Sequence, residues 1–308
     1  MSFASRSDDD RQPRLPGRRD DRSGVAVAAL LVNAFLWGIS WWPFRAVQDH
    51  GLHSLWATAL VYALVSVLIV AWRRSAPGQV LHTRSLWLLV LASGLTNACF
   101  NWAVTIGDVV RVVLLFYLMP MWAVLLARVL LHEPLRPIAM LRIAIALAGA
   151  AIVLRPPGAA WPVPGGLPDW LALAGGASFA LTNVLLRREA GRPESARALA
   201  MFGGGMLVAG LLALVLTLAG TVPAPAWPPA PWVPGVLLLA AMFLVGNLAL
   251  QLGAARLPAN VTAVVMLSEV VFASGSAALL GQGVLTGRTL AGGSLILLSA
   301  LLAARGNR

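Results

Sequence analysis

The sequence predicts an all-α membrane protein: ten transmembrane helices arranged as two inverted five-helix repeats, with both termini cytoplasmic. Three observations carry that expectation. The 308 residues are 59% hydrophobic and only 11% charged, with a mean hydropathy of +0.80, more apolar than a soluble domain needs to fill a core. Runs of about twenty apolar residues, the length at which a helix crosses a hydrocarbon core, recur from one end of the chain to the other. Arginine supplies every basic residue outside the four histidines, and its placement alternates between successive connections.

Taken in order, residues 1–24 mix acids and arginines without an apolar run and are expected to be a disordered cytoplasmic tail. The first apolar segment lacks a small-residue cleavage pattern and is read as a retained helix. Ten spans follow, near 25–47, 54–72, 84–106, 110–131, 137–155, 168–187, 196–219, 232–255, 259–282 and 288–304. With both termini inside, nineteen arginines fall on the cytoplasmic side and four, Arg45, Arg111, Arg155 and Arg288, on the outer side. That bias fits the preference of basic residues for cytoplasmic loops.

The Pro/Gly-rich stretch "RPPGAAWPVPGGLPDW" separates two sets of five spans, 25–155 and 168–304, with an outer linker at 156–167. Because five is odd, related halves must insert in opposite senses. A shift of 142 lays "WGISWWPFR" on "FALTNVLLR"; a shift of 150 lays Asn97 on Asn247, Asn101 on Gln251, and "PMWAVLLA" on "VVFASGSA".

Polar residues inside apolar helices are the candidate functional groups, since a charge in hydrocarbon costs several kcal/mol. Thr262, Glu269 and Ser276 are spaced by seven and share one face of the ninth span. Similar stripes are Asn33, Trp37, Ser40 and Phe44 on the first span, Asn97 and Asn101 on the third, Ser178 and Thr182 on the sixth, and Asn247 and Gln251 on the eighth. Glu269 is expected either to bind a substrate ammonium or coupling proton, or to order the bundle through an internal hydrogen bond or ion pair. Trp37, Trp41 and Tyr117 are the aromatic cavity candidates. Arg45 reads as an attractor for a substrate carboxylate or as a snorkelling anchor. Asp108 and Arg111, three apart, read as a local pair or an outer gate. Pro43 and Pro120 are expected to kink their helices.

Other chemistry has little footing. The single cysteine, Cys99, permits no disulfide framework or Cys-based metal site, and His50 and His53 in one short loop are read as solvated. "GGG" at 203–205 lies in an apolar helix and signals close packing, not a phosphate cradle. No P-loop, catalytic constellation, cofactor motif or nucleic-acid signature is present. The expected partners are the lipid bilayer, a small-molecule substrate and a proton or another coupling ion; ten helices can enclose a pathway in one chain, so a monomer or a homodimer is expected.

"WGISWWPFR", "RVVLLFYLMPMWAVLLARVLLHEPLRP" and "NVTAVVMLSEVVFASGSAALL" together resemble the EamA family of the drug/metabolite transporter superfamily, over about residues 25–304. The match includes Glu133 after the fourth helix. The resemblance implies a ten-helix bacterial inner-membrane carrier, often exporting amino acids or related metabolites. Its cavity would be lined by the first, third, fourth, sixth, eighth and ninth helices. Efflux of cationic or aromatic drugs, or a non-transporting accessory role, are the alternatives. Two positions depart from the family pattern: the usual Glu-Pro of the ninth helix is Glu269 then Val270, and the closing Gly-Glu is Gly281 then Gln282.

Overall fold

The computed structural model describes residues 17–130, 137–155, 163–228, 231–257 and 259–305, and among them the chain is helical with no strand. Eight segments are long and apolar enough to cross a membrane, and two shorter apolar helices follow, making about ten in all. The elements are α1 Gly17–Ile39, α2 Trp41–Asp49, α3 Ser54–Trp72, α4 Ala76–His82, α5 Arg84–Ile106, α6 Val109–Phe116 and α7 Met119–Leu130. There follow α8 Pro137–Leu154, α9 Leu167–Arg188, α10 Glu194–Leu218, α11 Val233–Ala254, α12 Ala259–Met266, α13 Ser268–Leu279 and α14 Gly287–Arg305.

The long helices agree with the apolar runs to within a few residues, because a span must be apolar over its whole length. Three differences concern the rest. First, α1 begins at Gly17, inside the stretch expected to be a disordered tail; residues 1–16 lie outside those described. Second, α4 fills what reads as a loop, with Pro77 in its first turn, where its missing N–H costs nothing. Third, the first, fourth and ninth spans are each two helices, α1–α2, α6–α7 and α12–α13. Glu133, Arg136 and the linker segment 156–162 lie outside the described residues.

Packing follows a definite neighbour pattern. The helix α5 lies against α9 and α10, and α10 also lies against α3. On the other side α1 lies against α11 and α13, α9 against α6 and α7, α6 against α13, and α8 against α14. Small residues set the closest approaches. A Cβ on Gly94 or Gly204 would collide with backbone of the facing helix, so α5 and α10 meet at backbone distance there. The central apolar cluster gathers Trp41, Phe100, the apolar residues between Val109 and Leu118, Val270 and Ala273. A second surrounds Phe44, Tyr62, Phe202 and Phe243.

Candidate functional site

The three interrupted spans meet at one place. Pro43 has no N–H to donate to the Ile39 carbonyl, and α1 ends at Ile39. Ser40 Oγ and N both donate to the Trp37 carbonyl, at 2.8 and 3.2 Å, which closes the freed turn. Pro120 removes the partner of the Phe116 carbonyl in the same way, and α6 ends at Phe116.

The third break has no proline. The Val270 N–H bonds the Leu267 carbonyl at 3.2 Å instead of continuing the ladder to Met266. The Met266 carbonyl then faces the Tyr117 hydroxyl at 3.3 Å, and Ser268 Oγ donates to Val265 O at 2.7 Å. Side chains thus supply here what proline supplies in the other two spans.

Glu269 follows that break directly, and its Oε2 lies 3.1 Å from the Tyr117 hydroxyl. Gly38 lets α1 cross α13 at backbone distance, since a Cβ there would stand 2.9 Å from the Glu269 carbonyl oxygen and 2.8 Å from Phe272 Cβ. Trp41 Nε1 donates to Ser276 Oγ at 3.0 Å, about two turns further along α13. Trp37, Ser40, Trp41 and Glu269 line a small pocket whose remaining wall is Gly38, Phe100, Val104, Val109, Val113 and Ala273. The side chains close over it and leave no room for a water molecule. Trp37 stacks on Phe243 with ring centroids 4.4 Å apart, which fixes the indole at the pocket edge.

Beyond Trp41, towards the α2 terminus, a set of polar contacts ties together parts of the chain far apart in sequence. The Arg45 guanidinium sits 5.4 Å from the Trp41 ring centroid and donates to Val104 O at 2.9 Å, to Gly107 O and to Gln282 Oε1. Arg111 makes a bidentate pair with Asp169, at 2.8 and 2.7 Å, and also donates to Val153 O. Asp108 accepts from the Arg111 backbone N–H at 2.9 Å and from Val284 N at 2.8 Å. Asp108 and Arg111 are therefore not a side-chain ion pair: Asp108 caps α6, and the guanidinium turns to Asp169, 58 positions away.

Of the residues expected at a cavity, Trp37, Ser40, Trp41, Tyr117, Glu269 and Ser276 are brought together. Others are not. Asn33 Nδ2 donates to Gly246 O at 3.1 Å and joins α1 to α11. Asn97 accepts from the Tyr62 hydroxyl and donates to Ser93 O, while Asn101 donates to Thr58 Oγ1 at 3.0 Å; both serve the α3–α5 contact. Thr182 Oγ1 returns to Ser178 O on its own helix. Asn247 lies outside the pocket lining, Gln251 is exposed, and Thr262 Oγ1 is buried without a hydrogen-bond partner among the described residues. His50 and His53 have separate tasks: His50 Nδ1 meets Ala46 O, and His53 Nδ1 accepts from Leu55 N to cap α3. Asp169 and the apolar wall escaped the sequence reading. Asp169 is the one acid at the entrance of α9, a position that marks it as a candidate partner for a distant arginine.

Comparison with known proteins bears on the first half directly. The model of the EamA-like transporter family matches residues 24–155. No curated protein matches the chain. Fifteen chains of solved structures match it. One, described only as "Crystal structure of protein", is 20% identical, with a TM-score of 0.53, over 92% of this chain and 97% of its own; that likeness concerns the fold.

Proposed function

We propose, from the match of residues 24–155 to the EamA-like transporter family, that the chain is a multi-pass membrane transporter and a secondary carrier. It moves a small amine-bearing metabolite, such as an amino acid, out across the bacterial inner membrane by alternating access. Its units are two five-span repeats, 25–155 and 168–304, inserted in opposite senses, preceded by a cytoplasmic tail and joined by an outer linker. Both termini are cytoplasmic in this reading.

The observation that carries the proposal is the convergence of three helix breaks on one intramembrane carboxylate, sealed from one end by Arg45 and its partners. Broken helices expose backbone carbonyls and amides where a carrier needs polar contacts. Glu269 offers an acceptor for an ammonium, and Trp37 and Trp41 offer ring faces to a cation. The repeat reading draws support from the packing. Counting each broken pair as one span, exchanging span n with span n plus five carries several of the main neighbour contacts onto one another, although α3–α5 has no comparable α10–α11 counterpart among the described residues. The α5–α9 contact corresponds to α1–α11, α9 with α6 and α7 corresponds to α1 with α12 and α13, and α3–α10 and α8–α14 map onto themselves. The breaks after Phe116 and Met266 stand 150 positions apart, the same shift that aligns "PMWAVLLA" with "VVFASGSA".

A proton is the coupling ion that the hydrogen bonds favour. Tyr117 has one hydroxyl proton and two acceptors, Met266 O and Glu269 Oε2. A protonated Glu269 donates to the tyrosine oxygen and releases the phenol for Met266, so every group is satisfied. An ionised Glu269 competes for the same proton. Cargo displacing that proton is then carried against it.

The test is efflux of preloaded labelled amino acids and organic cations from cells producing wild type or Glu269→Gln at equal membrane levels. The variant is expected to lose efflux of the cargo and its pH dependence. Unaltered efflux by Glu269→Gln would leave the carboxylate with a structural role and remove it from the mechanism.

A further inference from the structure

The end of the bundle opposite Arg45 carries Arg73, Arg74, Arg84 and Arg197, and it holds a cavity distinct from the central pocket. Beneath α4, the helices α3, α5 and α10 diverge to leave a groove of about 510 Å³, within the range of roughly 300–1,000 Å³ typical of small-molecule sites. Val67, Leu81, Trp87 and Leu207 line it, and all four are exposed on the outside of the bundle. The groove therefore opens sideways, towards lipid.

Gly203 supplies its free space. In the run Gly203 to Gly205, a Cβ on Gly204 would strike the Val90 carbonyl and one on Gly205 the Tyr62 ring, so those two glycines serve close packing. A Cβ on Gly203 would meet nothing within 4 Å. Packing of the bundle does not explain the third glycine.

The mouth is cationic. Arg73 and Arg74 follow α3 directly, between the lining residues Ala71 and Pro77, and Arg84 begins α5 about one turn before the lining residue Trp87. Arg73, Arg74 and Arg84 are exposed. Exposed Trp72 and Trp87 on the neighbouring turns are suited to the headgroup level. A ligand with an apolar tail and an anionic head fits both parts. We propose that the groove binds one anionic phospholipid, its acyl chain lying over Gly203 and its phosphate held at the arginine mouth.

Native mass spectrometry and thermal unfolding of the purified full chain, with dioleoyl phosphatidylglycerol or dioleoyl phosphatidylcholine added, test this. Wild type and Gly203→Ala are expected to retain one phosphatidylglycerol and to gain more in Tm from it than from phosphatidylcholine. Gly203→Phe is expected to lose the retained lipid. The double variant Arg73→Gln, Arg84→Gln is expected to keep its lipid-free Tm and to bind phosphatidylglycerol about tenfold more weakly, as basic residues at a membrane surface each add modest attraction. Should Gly203→Phe not fold, the double variant decides the matter. The proposal falls if the two lipids bind alike, if neither is retained, if the double variant binds phosphatidylglycerol as wild type does, or if a protein dimer lost in Gly203→Phe takes the place of lipid.

Discussion

Tyr117 and Glu269 show how much of this protein's polarity is local bookkeeping and how little is free. The tyrosine hydroxyl serves a carbonyl that the α12–α13 break has released. Tyr117→Phe should leave that carbonyl without a donor, at a cost of about 1–3 kcal/mol for an unmet buried acceptor. It is expected to lower the Tm and flatten the pH dependence of efflux, whereas Glu269→Gln, which keeps a hydrogen-bonding partner for the phenol, should alter efflux with a smaller change in Tm. Equal loss of Tm in both variants would argue that the pair is only structural. Sequence spacing did place Glu269, Trp41 and Ser276 in one neighbourhood, because a single carboxylate in hydrocarbon has few places to go. It did not anticipate the interhelical bonds of Asn33, Asn97 and Asn101. An amide in an apolar helix is as useful between helices as in a cavity, and spacing alone does not distinguish the two uses.

At the scale of elements, the spans were legible because bilayer thickness fixes the length of an apolar run. Their interruptions were legible only where proline marks them. Pro43 and Pro120 announce breaks after Ile39 and Phe116, whereas the break after Met266 rests on contacts from Tyr117 and Ser268 that no local pattern encodes. A consequence follows for Val270. Proline in a helix interior costs about 3 kcal/mol, mostly through the lost i to i−4 bond and a clash with that carbonyl. Val270 already forgoes that bond, so Val270→Pro should cost well under that amount by thermal unfolding. Proline at Val245, in the interior of α11, is the control that should cost the full amount. Comparable losses at the two positions would mean that α12 and α13 behave as one helix in the membrane.

For the whole molecule, the contacts made by Arg45, Asp108 and Arg111 join the first half of the chain to Gln282, Val284 and Asp169 of the second. They tie the two halves together at one end of the bundle. The Asp169 side chain is 6% exposed and that of Arg111 29%, so their pair falls between an exposed one, about 0–1 kcal/mol, and a buried one, about 3–5. Asp169→Asn should thus release about 2 kcal/mol of closure, roughly a thirtyfold shift between open and closed forms at 1.4 kcal/mol per decade. A thiol reporter at Ser40→Cys, in a Cys99→Ala background, is expected to react faster with a membrane-impermeant reagent applied from the Arg45 end once Asp169→Asn is added. An unchanged rate would show that this ion pair does not control access. None of these cross-chain pairings was visible in advance, since the partners stand 58 to 237 positions apart.

The two corresponding breaks, after Phe116 and after Met266, differ in kind. One is written into the covalent chain by a proline and persists in every state of the molecule. The other is conditional, held by a phenol that has a rival acceptor one ångström-scale rearrangement away. In the proposed arrangement of two inverted halves, a symmetric frame has no inherent arrow, because each motion has an equal counterpart in the opposite sense. Placing a permanent joint in one half and a conditional joint in the other removes that equivalence, and gives cargo, proton or voltage a single point at which to set the direction of the cycle.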